Sequence, residues 1–398
     1  MPGAIFVVAG STTPEQGPVA ALLSTAGWAS AAEQVLGRSW LVAPDGVLTP
    51  DEARRRGSHP SLRSPQQARL RRRVPAVAKT AARDLLSWKR NRKTTLDPDG
   101  PWSATDIRFV WQRHEMFHTA GLRLARSLGV PSVLFVPATK VWEAEQWGTR
   151  RPWWGRLLER RGEVPSLLGA DLVACGSRDV VDQVTRLGVP EARVLLTPTG
   201  VDLDAFAEPP DPAPLRRELG IDGRFVVGWV GSFRPFHALE QALKAAAAVP
   251  EASLLLVGDG PERARIERLA RTTGVPATFT GTVPHDRLPA YLAAMDAAVV
   301  LARPGAPFHY SPLKLAEYMA AGLPVVVPDV GQLAERLTDG VDALVVPPHD
   351  PVALAEALRR LRDDPEERQR LGKAARAAAE TTWSWTHQVR RVVDALEP

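Results

Sequence analysis

The chain has 398 residues, 44% of them hydrophobic and 24% charged. That is too long for one hydrophobic core and too ordinary in composition for a disordered, collagenous or coiled-coil protein. The net charge of +5 conceals one strongly basic stretch: residues 51–100 hold 14 Lys and Arg against 5 Asp and Glu, so the remainder is net acidic. A single cysteine, Cys175, excludes an intramolecular disulfide and any multi-cysteine zinc or iron–sulfur site, and it fits a reducing compartment. The N-terminus MPGAIFVVAG has no basic n-region and reads as a first buried strand rather than a signal peptide. The longest uncharged stretch, Gln16 to Ala32, is too weakly apolar to span a bilayer, which predicts a cytoplasmic protein.

Short apolar runs alternate with helical patterns, the signature of parallel sheets wrapped in helices. The first half predicts strands at 4–9, 39–43, 107–111, 132–136, 172–174 and 194–196, with helices at 66–92, 114–128, 154–168 and 178–187. A Pro-, Asp- and Gly-rich break at 197–214 follows, with PTGVDLDAF as the linker. The second half predicts strands at 225–230, 253–257, 277–280, 297–300, 324–327 and 343–346. Helices follow at 238–248, 261–272, 288–294, 313–321, 351–363, 365–380 and 385–396. The expected fold is α/β, with two doubly wound Rossmann-like lobes facing an interdomain cleft. The expected domains are 1–205 and 206–382, and a C-terminal helix at 383–398 packs back on the first lobe.

In an open parallel sheet, ligands sit beyond the carboxyl ends of the strands, where helix N-termini point free N–H groups outward. In the second lobe those loops read GSFRPFH from Gly231, GDGP from Gly258, GTVPH from Gly281 and HYSPLK from His309. Gly231 and Ser232 let backbone approach an anion, and Ser311-Pro312 opens a helix whose positive end faces the same place. Arg234, His237 and Lys314 add cationic side chains, so a diphosphate is the natural ligand. Glu317, one turn into that helix, points back toward its N-terminus and suits the paired hydroxyls of a ribose. No cluster of His, Asp or Glu has metal-ligand spacing; Asp202-Leu203-Asp204 is the nearest, and reads as linker.

The run SPLKLAEYMAAGLPVVVPDVGQLAE, 311–335, resembles the donor-binding signature of family-four glycosyltransferases, in a branch marked by SPLKL and EYMAAG. VGWVGSFRPFHALEQAL, LLLVGDGPERARIERLA, FTGTVPHDRLPAYLAAMDAAVV and TPTGVDLDAF resemble further segments of the same family, in order. The resemblance implies the two-lobed GT-B fold and an enzyme of the EC 2.4 class. Such an enzyme moves a sugar from a nucleoside-diphosphate sugar to a glycan, lipid-linked or small-molecule acceptor, with retention. It implies donor binding by Gly231, Ser232, Thr282, Val283, His309, Ser311, Pro312, Leu313, Lys314 and Glu317, with Thr282 and Val283 at the base and Glu317 at the ribose. Catalytic charge stabilisation would fall to Arg234 and His237, with no cofactor and no bound metal. Two departures stand out: His309 occupies the position of the family's earlier glutamate, and Ser232 replaces a basic residue of the diphosphate loop.

The first lobe resembles the family more faintly, through QRHEMFHTAGLRLARSLGVPSVL and ADLVACGSRDVVDQV. Ser11 and Thr12 in the loop after the first strand, with Thr139 and Lys140, are the candidate acceptor contacts, and His114 a candidate base. Trp142, Trp147, Trp153 and Trp154 read as packing for a long loop. In the basic segment Leu70, Val74, Val77, Ala81, Leu85 and Trp88 recur at helical spacing, with the arginines coating one face. That face is a solvated surface, a peripheral contact with anionic lipid at the inner side of the membrane, or a guide for an anionic acceptor. Nucleic acid is disfavoured, because no binding motif accompanies the charge. A sugar-nucleotide epimerase of the same fold, or a non-catalytic nucleotide-sugar binder, are the competing functions.

Overall fold

The computed structural model describes residues 1–9, 19–43, 45–58, 75–303, 308 and 312–397. The chain forms two compact units. One comprises Met1–Thr199 and Trp385–Pro398, and the other Gly200–Phe308 and Pro312–Ser384. The break between them falls at Thr199, earlier than residue 205.

In the first unit, seven strands run in the order β3-β2-β1-β4-β5-β6-β7. They are β1 (Pro2–Val7), β2 (Arg38–Ala43), β3 (Gly46–Leu48), β4 (Asp106–Arg113), β5 (Ser132–Val136), β6 (Leu172–Cys175) and β7 (Val194–Leu196). Every pairing is parallel except β2 with β3, a short hairpin strand that the alternation of apolar runs did not announce. The inner strands are apolar throughout because helices cover both faces. Cys175 lies fully buried on β6, and burial pushes its thiol up to about 12, leaving it inert.

The helix Val19–Leu36, also unannounced, packs against the C-terminal helix Trp385–Leu396 within this unit. Gly27 permits the contact: a Cβ there would stand 2.3 Å from Trp385 Nε1. Trp28, Trp111, Phe135 and Trp385 then form one aromatic cluster, with centroids 5.4 to 5.8 Å apart. Arg391 donates to the Leu196 carbonyl at 2.5 Å, tying the final helix to β7.

Residues 66–74 of the helix expected at 66–92 lie outside the described residues, and the described part, Ala76–Arg92, departs from expectation in the face it buries. Its buried residues are Thr80, Asp84 and Asn91, a polar stripe, while Val77, Leu85 and Leu86 are exposed. Four specific bonds outweigh the apolar pattern. Asp84 receives both Arg151 Nε (2.9 Å) and Nη2 (3.0 Å) and also Trp154 Nε1 (3.0 Å), while Asn91 donates to the Met116 carbonyl at 2.8 Å. Leu70 and Val74 lie outside the described residues.

The second unit contains six parallel strands in the order β10-β9-β8-β11-β12-β13. These are β8 (Phe225–Val230), β9 (Ala252–Val257), β10 (Ala277–Gly281), β11 (Ala297–Val299), β12 (Val325–Pro328) and β13 (Leu344–Val346). The order reverses between β8 and β11, so the loops following those two strands diverge and leave a crevice. Trp229, Phe233, Leu243, Leu256, Ile266, Leu358 and Leu371 form its core. Asp-Pro pairs start both late helices: Asp350 accepts from the Val352 and Ala353 N–H groups, and Asp364 from that of Glu367. No helix among the described residues is long and apolar enough to cross a membrane.

Candidate functional site

At the switch point of the second unit, three glycine-bearing strand ends are laced together by backbone. The Gly231 N–H donates to Val257, the Gly258 N–H to Gly281 and the Phe233 N–H to Asp259, each at 2.9 Å. Gly231 has φ 144° and Gly258 φ 128°. A Cβ on Gly258 would fall 1.9 Å from the Gly231 oxygen, so the two loops touch backbone to backbone only because neither carries a side chain.

The helix Leu313–Ala320 opens beside this cluster. Tyr318 is fully buried, and its hydroxyl accepts the Val230 N–H at 2.7 Å, fixing the helix against the last residue of β8. Tyr318 was absent from the sequence-based site; it belongs to the EYMAAG run, and only the fold shows what it holds. Lys314, on the same helix face, places Nζ 3.8 Å above the Trp229 ring and 2.9 Å from where a Gly231 Cβ would stand. That nitrogen is buried and has no hydrogen-bond partner among the described residues. Burial lowers its pKa to about 7, with Glu317 pulling the other way. Glu317 is 5% exposed, and burial raises its pKa against the opposing pull of His285 and Lys314. His285 Nδ1 stands 3.8 Å from Glu317 Oε1, a neighbour that the sequence reading missed.

The remaining donor candidates take varied positions. Ser232 and Arg234 are exposed at the loop surface, Thr282 is exposed, Val283 and Leu313 are half-buried and Pro312 is buried. His309 and Ser311 lie outside the described residues. His237 departs from its expected charge. It is buried with its ring 5.1 Å from Trp229, and burial, with Lys314 and Arg234 adding, pushes its pKa down to about 2. A neutral imidazole therefore stands where a cation was expected.

In the first unit the corresponding switch point lies between β1 and β4. The expected helix over 114–128 begins only at Ala120. Residues 114–119 form a loop pinned by the Phe117 N–H, which donates to Gly162 at 2.7 Å, and Phe117 takes φ 62°. His114 is fully buried. Its Nε2 meets Glu163 Oε2 at 2.8 Å, and Nδ1 lies 3.4 Å from Ser166 Oγ. Glu163 also accepts the N–H groups of Lys140 (2.6 Å) and Val141 (2.9 Å), capping the helix Lys140–Gln146. Burial raises the Glu163 pKa, but the His114 bond and these two N–H groups prevail and hold it below the ordinary carboxylate value. Glu163, on a π-helical turn at Glu159–Glu163, is the organising residue of this cluster, and nothing in its local sequence marked it.

Thr139 is fully buried, with an Oγ1 that finds no partner among the described residues. Lys140 lies 3.7 Å from Glu115 and 3.6 Å from Glu143. Burial opposes its charge, yet these carboxylates keep its pKa above the usual lysine value. His118 is buried without a ring-nitrogen partner among the described residues, and burial lowers its pKa to about 4. Ser11 and Thr12 lie outside the described residues.

These two parallel-sheet α/β units have the GT-B fold of nucleotide-sugar-dependent glycosyltransferases. The structure of Anabaena HepE in complex with UDP superposes with a TM-score of 0.65 at 18% identity, over 99% of each chain. Residues 224–364 match the family model for glycosyl transferases group 1. The chain is thus similar to the group 1 glycosyltransferases over residues 224–364, within its second unit. A GDP-mannose-dependent alpha-(1-6)-phosphatidylinositol monomannoside mannosyltransferase of Mycolicibacterium smegmatis is 31% identical over 57% of this chain and 62% of its own length. A D-inositol 3-phosphate glycosyltransferase of Kribbella flavida is 34% identical over 54% of this chain and 53% of its own length. The chain therefore spans between half and two thirds of the length of these two curated relatives.

Proposed function

We propose that the protein is a glycosyltransferase that moves a sugar from a nucleoside-diphosphate sugar to a hydroxyl acceptor. The observation that carries this reading is the pairing of Lys314 and Glu317 on one helix face beside Gly231, a buried cation and a buried carboxylate set where the chain leaves its switch point. Lys314 and the helix N-terminus hold the diphosphate, Gly231 and Ser232 let it approach backbone, and Glu317 accepts the ribose hydroxyls. Thr282 and Val283 border the base, while Arg234 adds a screened surface charge. His237 acts as a neutral hydrogen-bond donor. His309 and Ser311 complete the sugar and phosphate contacts.

As the C1–oxygen bond to the diphosphate breaks, negative charge grows on the leaving oxygen, and donors already aimed there lower the barrier. The acceptor oxygen forms the new bond to C1 on the same face, and its proton passes to the departing phosphate oxygen, giving retention. No bound metal or cofactor is required by this scheme, so a chelator is expected to leave activity unchanged.

The acceptor side falls to the first unit, with Thr139, Lys140, Ser11 and Thr12 as contacts. We take His114, engaged at Nε2 by Glu163 and adjacent to Ser166 at Nδ1, to hold the loop rather than to carry protons. The acceptors in the names of the two relatives, a phosphatidylinositol mannoside and an inositol phosphate, favour an anionic polyol or lipid-linked acceptor at the inner face of a membrane. GDP-mannose and UDP-glucose are the first donors to try. Titration calorimetry with GDP and UDP tests the donor site: Lys314→Ala and Glu317→Ala should each weaken binding about tenfold or more, as expected for lost charged hydrogen bonds of about 1.5 to 3 kcal/mol. Unchanged affinity in both variants would overturn the assignment.

A further inference from the structure

We propose that His285 is a specificity-determining residue of the donor site, which closes with Glu317 on one ribose hydroxyl and so selects ribonucleotides over nucleotides that lack it. The proposal rests on the reading of this unit as a nucleoside-diphosphate-sugar site, and it adds a residue outside the sequence-based set.

His285 belongs to the segment GTVPHDRLP, which the fold holds at both ends. Gly281, with φ 74°, ends β10, and its carbonyl accepts the Gly258 N–H at 2.9 Å. Beyond Pro284 the chain makes a single 3-10 turn, His285–Arg287, closed by the Arg287 N–H on the Pro284 carbonyl at 3.0 Å. The helix Leu288–Ala293 follows, with Leu288 and Leu292 buried. The imidazole is therefore carried on a braced turn. Opposite it, Glu317 stands on Leu313–Ala320, the helix that Tyr318 ties to Val230.

The separation decides what the pair can do. His285 Nδ1 and Glu317 Oε1 are 3.8 Å apart. That is too far for a direct hydrogen bond, yet an oxygen seated to one side can lie about 2.8 Å from both. The histidine side chain is 31% exposed and that of Glu317 6%, so the imidazole is reachable from solvent while the carboxylate is nearly enclosed. An ionised carboxylate only accepts hydrogen bonds. Glu317 can take the protons of a vicinal diol but leaves the hydroxyl lone pairs without a donor, and an imidazole N–H supplies one. Lys314 is turned elsewhere, with Nζ 3.8 Å above the Trp229 ring and beside Gly231. Burial raises the Glu317 pKa, and His285 opposes it more strongly than Lys314 does, which favours the accepting form. Thr282 and Val283, assigned to the base, lie three and two residues before His285, so one loop serves base and ribose together.

The experiment is calorimetric titration of the full chain with GDP and UDP and with their 2′,3′-dideoxy counterparts. His285→Ala should weaken the ribonucleotides roughly fivefold to tenfold, the equilibrium equivalent of one net hydrogen bond, and leave the dideoxynucleotides within about twofold. His285→Asn, whose amide nitrogen reaches the position of Nδ1, should recover most of the loss. In a Glu317→Ala background, His285→Ala should add less than about twofold, because the two side chains act on one hydroxyl. Equal weakening of both kinds of nucleotide by His285→Ala would make the histidine a structural element of its loop and overturn the proposal, as would affinities that His285→Ala leaves unchanged. The two readings fail separately. If the native chain binds none of these nucleotides, the donor site itself is wrong and the proposal goes with it; if Lys314→Ala weakens all of them while His285→Ala changes none, the proposal alone is overturned.

Discussion

The two units answer the same topological question with opposite electrostatics. Each has a switch point where loops diverge, and each brings ionisable side chains there. In the first unit His114, Glu163 and the backbone of Lys140 and Val141 form a closed network, and Asp84 with Arg151 and Trp154 forms a second. In the second unit Lys314 Nζ has no hydrogen-bond partner among the described residues, and Glu317 meets His285 at 3.8 Å with the Lys314 charge as its other described electrostatic neighbour. A buried charge with full partners specifies local structure, whereas one held without them is unfavourable in isolation and is stabilised by a ligand of opposite sign. The contrast separates side chains that build the fold from side chains that wait for a donor. His118, buried and neutral, and Arg151 Nη1, buried without a hydrogen-bond partner among the described residues, are the exceptions in the first unit.

The largest effect should come from breaking a closed network. Asp84→Ala strands the buried Arg151 guanidinium and should cost about 3 to 5 kcal/mol of stability in thermal or urea unfolding. Asp84→Asn, which keeps hydrogen-bonding capacity, should cost less. If Asp84→Ala leaves unfolding unchanged, the first unit is not organised by its pairs.

Next in size is Gly231→Ala. The new methyl would stand 2.9 Å from Lys314 Nζ, at a φ of 144° that favours glycine, with a strain of about 1 to 3 kcal/mol. Nucleotide affinity should fall more than melting temperature, because the displaced group is the proposed phosphate ligand.

A smaller effect tests the protonation of Lys314. With its pKa lowered to about 7 from 10.5, the folded chain carries fewer protons than the unfolded chain between those values. Stability should therefore rise with pH across that window. Diphosphate binding runs the other way: it favours the charged amine, so affinity should weaken as pH climbs past neutrality. Lys314→Arg should flatten that profile in calorimetry, and an unchanged slope would separate Lys314 from the anion. The smallest effect is expected from Arg234→Gln, since Arg234 is exposed and screened. A few-fold loss of affinity that disappears at high salt would fit a surface contact.

Most of the sheet architecture could be read in advance because parallel strands covered on both faces are runs of four to six apolar residues, and such runs need no partner to be recognised. VVGWV, SLLLV and PVVV are of this kind, and Pro-capped helices such as 351–363 and 365–382 carry their own start signals. The hairpin strand Gly46–Leu48 is too short for a period, and the helix Val19–Leu36 is nearly apolar all round, which hides its amphipathic face.

The glycine loops and the SPLKL run could be placed from sequence, since backbone approach and helix starts are local matters. Their energetics could not. That His237 is neutral, that Lys314 titrates near 7 and that Glu317 meets His285 all depend on burial and on residues distant in the chain. The same holds for the basic helix. Its sequence displayed an apolar stripe at the correct period, and period alone assigned that stripe to the interior. Tertiary structure decided otherwise, because Asp84 and Asn91 found buried partners 67 and 25 residues away, and a charged network satisfied in the interior outranks a few exposed leucines.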